Sequence, residues 1–169
     1  MESKAIEIVE AHRTMAISTV RPDGWPQTTI VGYANDGLLL YFLISRSSQK
    51  FTNIQSDDRV SVAIGTEPED FRQLKAVYAG AHASEVTDPK QREHAWELLA
   101  QRHPNLGAYE RPDWSVAAMM RASCMFVSIL DFTKGLGHTD TLTVSGPGLA
   151  LMGPAEAANW GYHPAAAVT

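Results

Sequence analysis

Residues 41–53 read YFLISRSSQKFTN and bring three serine hydroxyls and two cations to one short turn. A segment apolar on both faces, 38–44, runs straight into Ser45, Arg46, Ser47, Ser48, Gln49 and Lys50. The polar run opens a short helix over about 47–56, with Phe51 and Ile54 facing inward. At a helix start the first backbone N–H groups lack intrahelical partners and the dipole end is positive. Hydroxyls and a cation added there make a site suited to a phosphate monoester. A lysine about 4 Å from a phosphate gains on the order of 4 kcal/mol at an effective dielectric of 20, against roughly 0.3–1 kcal/mol from the helix end. Lys50 or Arg46 therefore sets the strength and the serines set the geometry. A serine cap on a solvated helix face explains the same residues. No G-x-G-x-x-G or Walker pattern separates the two readings.

Elsewhere the chemistry-bearing residues read as structural. His82, His94, His103 and His138 lack metal-ligand spacing and suit exposed or hydrogen-bonded core positions, so no metal site is expected. Cys124 is the only cysteine, which excludes an internal disulfide framework. It sits on an alternating segment and reads as core, with no cationic neighbour to lower its pKa. No G-x-S-x-G elbow supports serine nucleophile chemistry. Trp96, Trp114 and Trp160 read as packing anchors, and Trp25 as a surface or dimer contact beside a hairpin turn.

The elements that must position these residues follow from patterning. A short helix spans 4–12, and strands span 14–21 and 26–34, joined through Pro22-Asp23-Gly24. Proline presets φ there, and Asp-Gly accepts left-handed geometry. After a second turn at Asn35-Asp36-Gly37 comes the doubly buried strand 38–44. Alternation predicts strands at 59–65 and 73–87, the latter with a bulge or bend at Gly80. Asp88-Pro89 opens a helix to about 102, a second helical piece covers about 112–121, and a sixth strand covers 123–133. Six antiparallel strands with a buried third strand curl into a barrel, which removes the edges. The expected class is mainly β (α+β), a six-stranded antiparallel barrel with peripheral helices. Residues 1–134 form the domain, with a helical insertion at about 88–121. The Gly/Pro-rich tail 135–169, with one strand at 140–145, packs on the barrel or on a partner subunit.

The 169 residues suffice for one domain with its own core. Lys and Arg number 14 against 19 Asp and Glu, a net charge of −5, which argues against a nucleic-acid partner. The apolar run 38–44 falls far short of the ~20 residues of a membrane span, and the N-terminus lacks a secretion pattern. A soluble, cytoplasmic protein is the expectation, with no membrane partner.

The runs TMAISTVRPDGWPQTTIV and LLLYFLISRSSQKFTNIQSDDRVSVAIG, taken in order, resemble the pyridoxamine 5′-phosphate oxidase-like FMN-binding split β-barrel family. The likeness rests on the P-D-G-x-P hairpin, the apolar-aromatic strand, the S-R-S-x-x-K helix start and the DDRVSV strand. It covers about 12–65 well, and 73–87 and 123–133 by position. It implies a homodimer with two FMN sites at the interface. The flavin ring would lie against the second and third strands, with its phosphate at the following helix start. Carried over by position, Thr28, Thr29, Ile30 and Val31 line the ring edge. Leu43, Ile44 and Ser45 flank the ribityl chain. Arg46, Ser48, Gln49 and Lys50 bind the phosphate with help from Asn53. His138 and Trp114 would approach the ring from the partner or substrate side. The implied function is an oxidoreductase that passes hydride or electrons through FMN between a nicotinamide donor and a small-molecule substrate. The alternatives are the same fold holding a deazaflavin or haem, or a non-catalytic flavin-binding module. After Lys134 the chain has no lysine or arginine, whereas the vitamin B6 oxidases end in a basic segment. That departure implies a different substrate, selected by 88–121 and 135–169.

Overall fold

A computed structural model describes residues 2–65, 67–106 and 110–144. In chain order the elements are α1 (Glu2–Ala11), β1 (Thr14–Val20), β2 (Pro26–Asp36), β3 (Leu39–Ser45), α2 (Gln49–Ser56), β4 (Arg59–Gly65), β5 (Lys75–Glu85), α3 (Pro89–Arg102), β6 (Ala117–Asp131) and β7 (Thr139–Thr143). The strands pair antiparallel in the order β3-β2-β1-β4-β5-β6-β7, and a further β3–β6 ladder closes six of them into a barrel with β7 outside. The mainly-β barrel read from the sequence is therefore the observed fold. The β1–β2 hairpin turns at Gly24, whose φ of +87° suits glycine and whose N–H donates to the Arg21 carbonyl at 2.8 Å. The expected irregularity at Gly80 is a register shift between Gly80 and Ala81.

Strand alternation sorts the side chains into two cores. Met15, Ile17, Tyr33, Leu40, Phe42, Ile64, Met120 and Ile129 fill the barrel, each at most 1% exposed. On the outer face of β3, Tyr41 packs with Ala34, Met119, Val86 and the α3 residues Ala95, Trp96 and Leu99, with Leu39 and Leu43 at the margin. The double burial of β3 thus has a cause: one face looks into the barrel and the other lies under α3. Cys124 belongs to the barrel core, where burial pushes its thiol up to about 12.

The helix expected at about 112–121 is not there. From Ala117 the chain is already β6, pairing Ser45↔Ala117 through Leu39↔Ser123 with β3 and Glu85↔Met120 with β5. Ala117-Ala118-Met119-Met120 carries good helix propensity, but two flanking strand edges satisfy its backbone and two cores bury its side chains, and packing overrides propensity. Helix in the expected insertion is confined, among the described residues, to Pro89–Arg102. The strand expected at 140–145 is β7, Thr139–Thr143. The rest of the tail reading, including Leu149, Leu151, Met152, Trp160 and Tyr162, lies outside the described residues.

Two helices seat on the two ends of the barrel. Ala5, Ile8 and Val9 of α1 join the core at one end, where the Tyr33 hydroxyl donates to the Val9 carbonyl at 2.6 Å. Ile54 of α2 joins it at the other. Lys4 of α1 is ion-paired with Asp131 at the end of β6, whose side chain is 3% exposed. Burial alone would raise the Asp131 carboxyl, but hydrogen bonds from Lys4 and Thr133 outweigh it and hold the pKa at about 2, below the ordinary 3.8. This pair therefore adds stability above pH 4 that disappears as pH falls from about 4 to 2. Thermal melts across that window should show a drop in Tm, and Lys4→Met should shrink the drop while lowering Tm at neutral pH. An unchanged acid limb in Lys4→Met would place its origin elsewhere.

Candidate functional site

Core side chains fill the barrel, and α1 and α2 pack against them. The opening lies in the wall. β2 and β3 pair only over Tyr33↔Phe42, Ala34↔Tyr41, Asn35↔Leu40 and Asp36↔Leu39. Beyond that point they part: Pro26–Gly32 stays with β1, and Leu43–Ser45 stays with β6. The Tyr33 N–H donates to the Arg13 carbonyl on the β1 side, so by strand alternation the backbone groups of Thr28, Ile30 and Gly32 face the gap. They offer N–H donors and carbonyl acceptors to whatever fills it.

At one end of this split stands the turn that precedes α2. Ser48 caps the helix, its hydroxyl accepting from Phe51 N–H at 3.2 Å and donating to the Ser45 carbonyl at 2.7 Å. The Ser45 and Ser47 hydroxyls share a 2.8 Å bond. Lys50, on the first turn of α2, reaches across to β2 and donates from Nζ to Thr29 Oγ1 at 2.9 Å. Among the described residues no carboxylate forms an ion pair with Lys50. Burial lowers its pKa, the mark of an ammonium that has lost water without gaining a counter-charge.

The other residues of the expected site divide sharply. Arg46 is paired with Glu85 and hydrogen-bonded to the Trp114 carbonyl at 2.9 Å. Asn53 is fully buried and ties α2 to the barrel: its amide donates to Thr19 at 2.9 Å and to Gln27 at 3.1 Å, and its oxygen accepts from Gln49 at 2.9 Å. The side chains of Val31 and Ile44 lie in the barrel core, leaving only their backbones for a ligand. Thr28 is exposed and bonded to Ser18, and Ile30 is 69% exposed. Leu43 lines the far end of the split. Trp114 packs partly against the second core under Arg92, 4.8 Å from the ring centroid. His138 bonds to Asp140 between β6 and β7, next to Asp131 at the opposite end of β6 from Ala117. Within one chain it does not join the split.

Sequence reasoning missed two residues. His103 follows α3, and its ring covers Gly32 so closely that a Cβ there would meet Cε1 at 3.2 Å. Its Nε2 stands 3.0 Å from the Tyr33 carbonyl. With Gly32, Leu43, Leu99, Asn105 and Leu106 it lines a cavity of about 310 Å³ at the closed end of the split. From Gly32 to Thr29 is three residues of strand, about 10 Å, which separates the cavity from the Thr29 hydroxyl that Lys50 reaches. The other missed residue is Glu85, the partner of Arg46. Neither had a local signal, because both arrive from distant segments.

Residues 1–123 match the family model for pyridoxamine 5′-phosphate oxidase. Among solved structures, a heme-binding protein from Mycobacterium smegmatis superposes with a TM-score of 0.72 at 19% identity, over 84% of this chain and 57% of that one. This chain thus spans little more than half of that protein's length. A conserved hypothetical protein from Mycobacterium tuberculosis gives a TM-score of 0.68 at 25% identity, over 86% and 92% of the two chains. A FAD-binding protein from Mesorhizobium loti gives 0.61 at 23%, over 75% and 91%. No curated protein sequence matches the chain. No described helix is long and apolar enough to cross a membrane, and no three described His, Cys, Asp or Glu residues are grouped to hold a metal ion.

Proposed function

This chain belongs to the pyridoxamine 5′-phosphate oxidase family, and from that premise we propose that it binds FMN in the split between β2 and β3 and works as an oxidoreductase on a small-molecule substrate. The observation that carries this reading is Lys50, a desolvated ammonium that pairs with no carboxylate among the described residues, at the mouth of a gap faced by backbone groups of β2. Lys50, Thr29 and the hydroxyls of Ser45 and Ser47 hold the phosphate. The backbone of Thr28, Ile30 and Gly32 meets the polar edge of the ring. The cavity walled by Leu43, Leu99 and His103 takes the ring's apolar end and keeps water from it. When bound, the flavin supplies hydride or one-electron transfer. The protein's part is to orient it, and no side chain of the split is needed as a general acid or base.

The reading includes a homodimer. The outer face of β1, β4 and β5 carries small residues, among them Ala16, Ser18, Ser61, Ala63 and Gly80, around two shallow cavities of about 480 and 460 Å³. Ile30, Tyr78 and Phe71 stand exposed beside them at 69%, 41% and 63%. An apolar face of this kind fits a second subunit, and Ile30 joins it to the split.

Purified protein should take up FMN stoichiometrically, show the absorbance of oxidised flavin, and bleach with a nicotinamide donor. Flavin that binds but resists reduction would favour a non-catalytic carrier. A protein that ignores FMN and develops a Soret band with haemin would replace this reading.

A further inference from the structure

Arg46 is the second cation of the turn, yet its guanidinium is committed elsewhere. Its two terminal nitrogens grip the Glu85 carboxylate, NH1 at 3.1 Å, and its Nε donates to the Trp114 carbonyl at 2.9 Å. The guanidinium carbon lies 5.5 Å from the Phe51 ring centroid, beside the first turn of α2. Glu85 is 19% exposed and Arg46 31%, so the pair is shielded but within reach of the turn. The pair is not what joins these segments. The β3–β6 ladder through Ser45↔Ala117, the Arg46 N–H to the Val116 carbonyl at 2.9 Å, and the β5–β6 ladder through Glu85↔Met120 already fix the backbone. The carboxylate's distinct effect is on charge. Without Glu85 the turn would present two cations, and with it the turn presents one, Lys50.

We propose that Glu85 is a specificity-determining residue that withholds Arg46 from the anion site, so that the turn accepts a phosphate monoester and rejects ligands with a run of anionic groups. This inference rests on the reading of the split as a phosphate site. It gives that site a preference: FMN over a deazaflavin with its longer acidic tail.

The test uses the full chain, with inorganic phosphate and tripolyphosphate at constant ionic strength, read by ligand-induced thermal shift and by competition with FMN fluorescence. In the parent protein tripolyphosphate should bind at least threefold more weakly than phosphate. In Glu85→Gln, tripolyphosphate should bind at least tenfold more tightly and phosphate gain less, and adding Arg46→Gln should erase the gain. The double variant Arg46→Gln/Glu85→Gln, which removes both charges of the pair, should leave phosphate binding within threefold of the parent, which keeps the proposal testable if Glu85→Gln does not fold. The proposal is overturned if Glu85→Gln gains nothing for tripolyphosphate, or if the Arg46→Gln/Glu85→Gln double variant weakens phosphate tenfold. If the parent takes up no FMN while Glu85→Gln still gains for tripolyphosphate, the flavin reading falls and the charge limit stands. If FMN binds and Glu85→Gln gains nothing, the reverse holds.

Discussion

Lys50→Met is expected to weaken FMN binding about 100-fold while leaving the melting temperature of the ligand-free protein within about 2 °C of the parent. A hydrogen bond to a charged group is worth about 1.5–3 kcal/mol, and the upper end of that range corresponds to about two orders of magnitude in Kd. The ligand-free protein should hardly notice, because among the described residues the ammonium is held by the Thr29 hydroxyl alone and burial works against its charge. Methionine keeps the length of the apolar stem. Fluorescence titration with FMN and a thermal melt give the two numbers, and an affinity within threefold of the parent would remove Lys50 from the site. The pH dependence has a definite sign. Burial sets the Lys50 pKa of the free protein below the ordinary 10.5, so the unfolded chain holds that proton more tightly. Between the lowered value and 10.5 the stability contribution of this group rises with pH. A bound phosphate favours the charged form, so FMN affinity should fall as pH climbs through the free-protein value. In Lys50→Met that limb should be absent.

Asn53→Ala should do the opposite: large damage to the fold, with any loss of ligand following from it. Asn53 has no exposed surface, and its amide is the hub on which Thr19, Gln27 and Gln49 converge. Alanine would leave the buried Thr19 hydroxyl and the Gln27 carbonyl without this donor, at about 1–3 kcal/mol for unsatisfied groups. It would also open a small void under α2. A total of about 2–4 kcal/mol in a chain of this length lowers Tm by roughly 5–15 °C. Chemical denaturation with an unchanged m-value would assign the loss to the native state. A Tm within 2 °C of the parent, with FMN affinity lost, would instead make Asn53 a ligand contact.

The contrast between these two residues shows how far the sequence could be read. Lys50 and Asn53 sit three positions apart on one helix, and both are polar residues in the same motif. Nothing local tells that one faces a gap and the other a core. The barrel was legible because its strands alternate and because β3, apolar on both faces, demanded two layers of cover. The turn was legible because serines and cations before a helix have a distinct chemistry. What was not legible depends on long-range pairing. Ala117–Arg121 reads as helix until β3 and β5 are placed beside it. Arg46 reads like Lys50 until Glu85, 39 residues away in sequence, is brought against it. His103 reads as an ordinary histidine until α3 lays it over Gly32.

The filled interior of the barrel has a consequence for how such a protein can change over time. The residues that hold it together point into the barrel or pack between β3 and α3, and those offered to a ligand stand on the gap, the turn and the margin of α3. Mutations that remodel the ligand therefore incur little folding penalty, and drift at the split can proceed without eroding the scaffold. A framework of this kind can exchange one prosthetic group for another in small steps, each intermediate still folded.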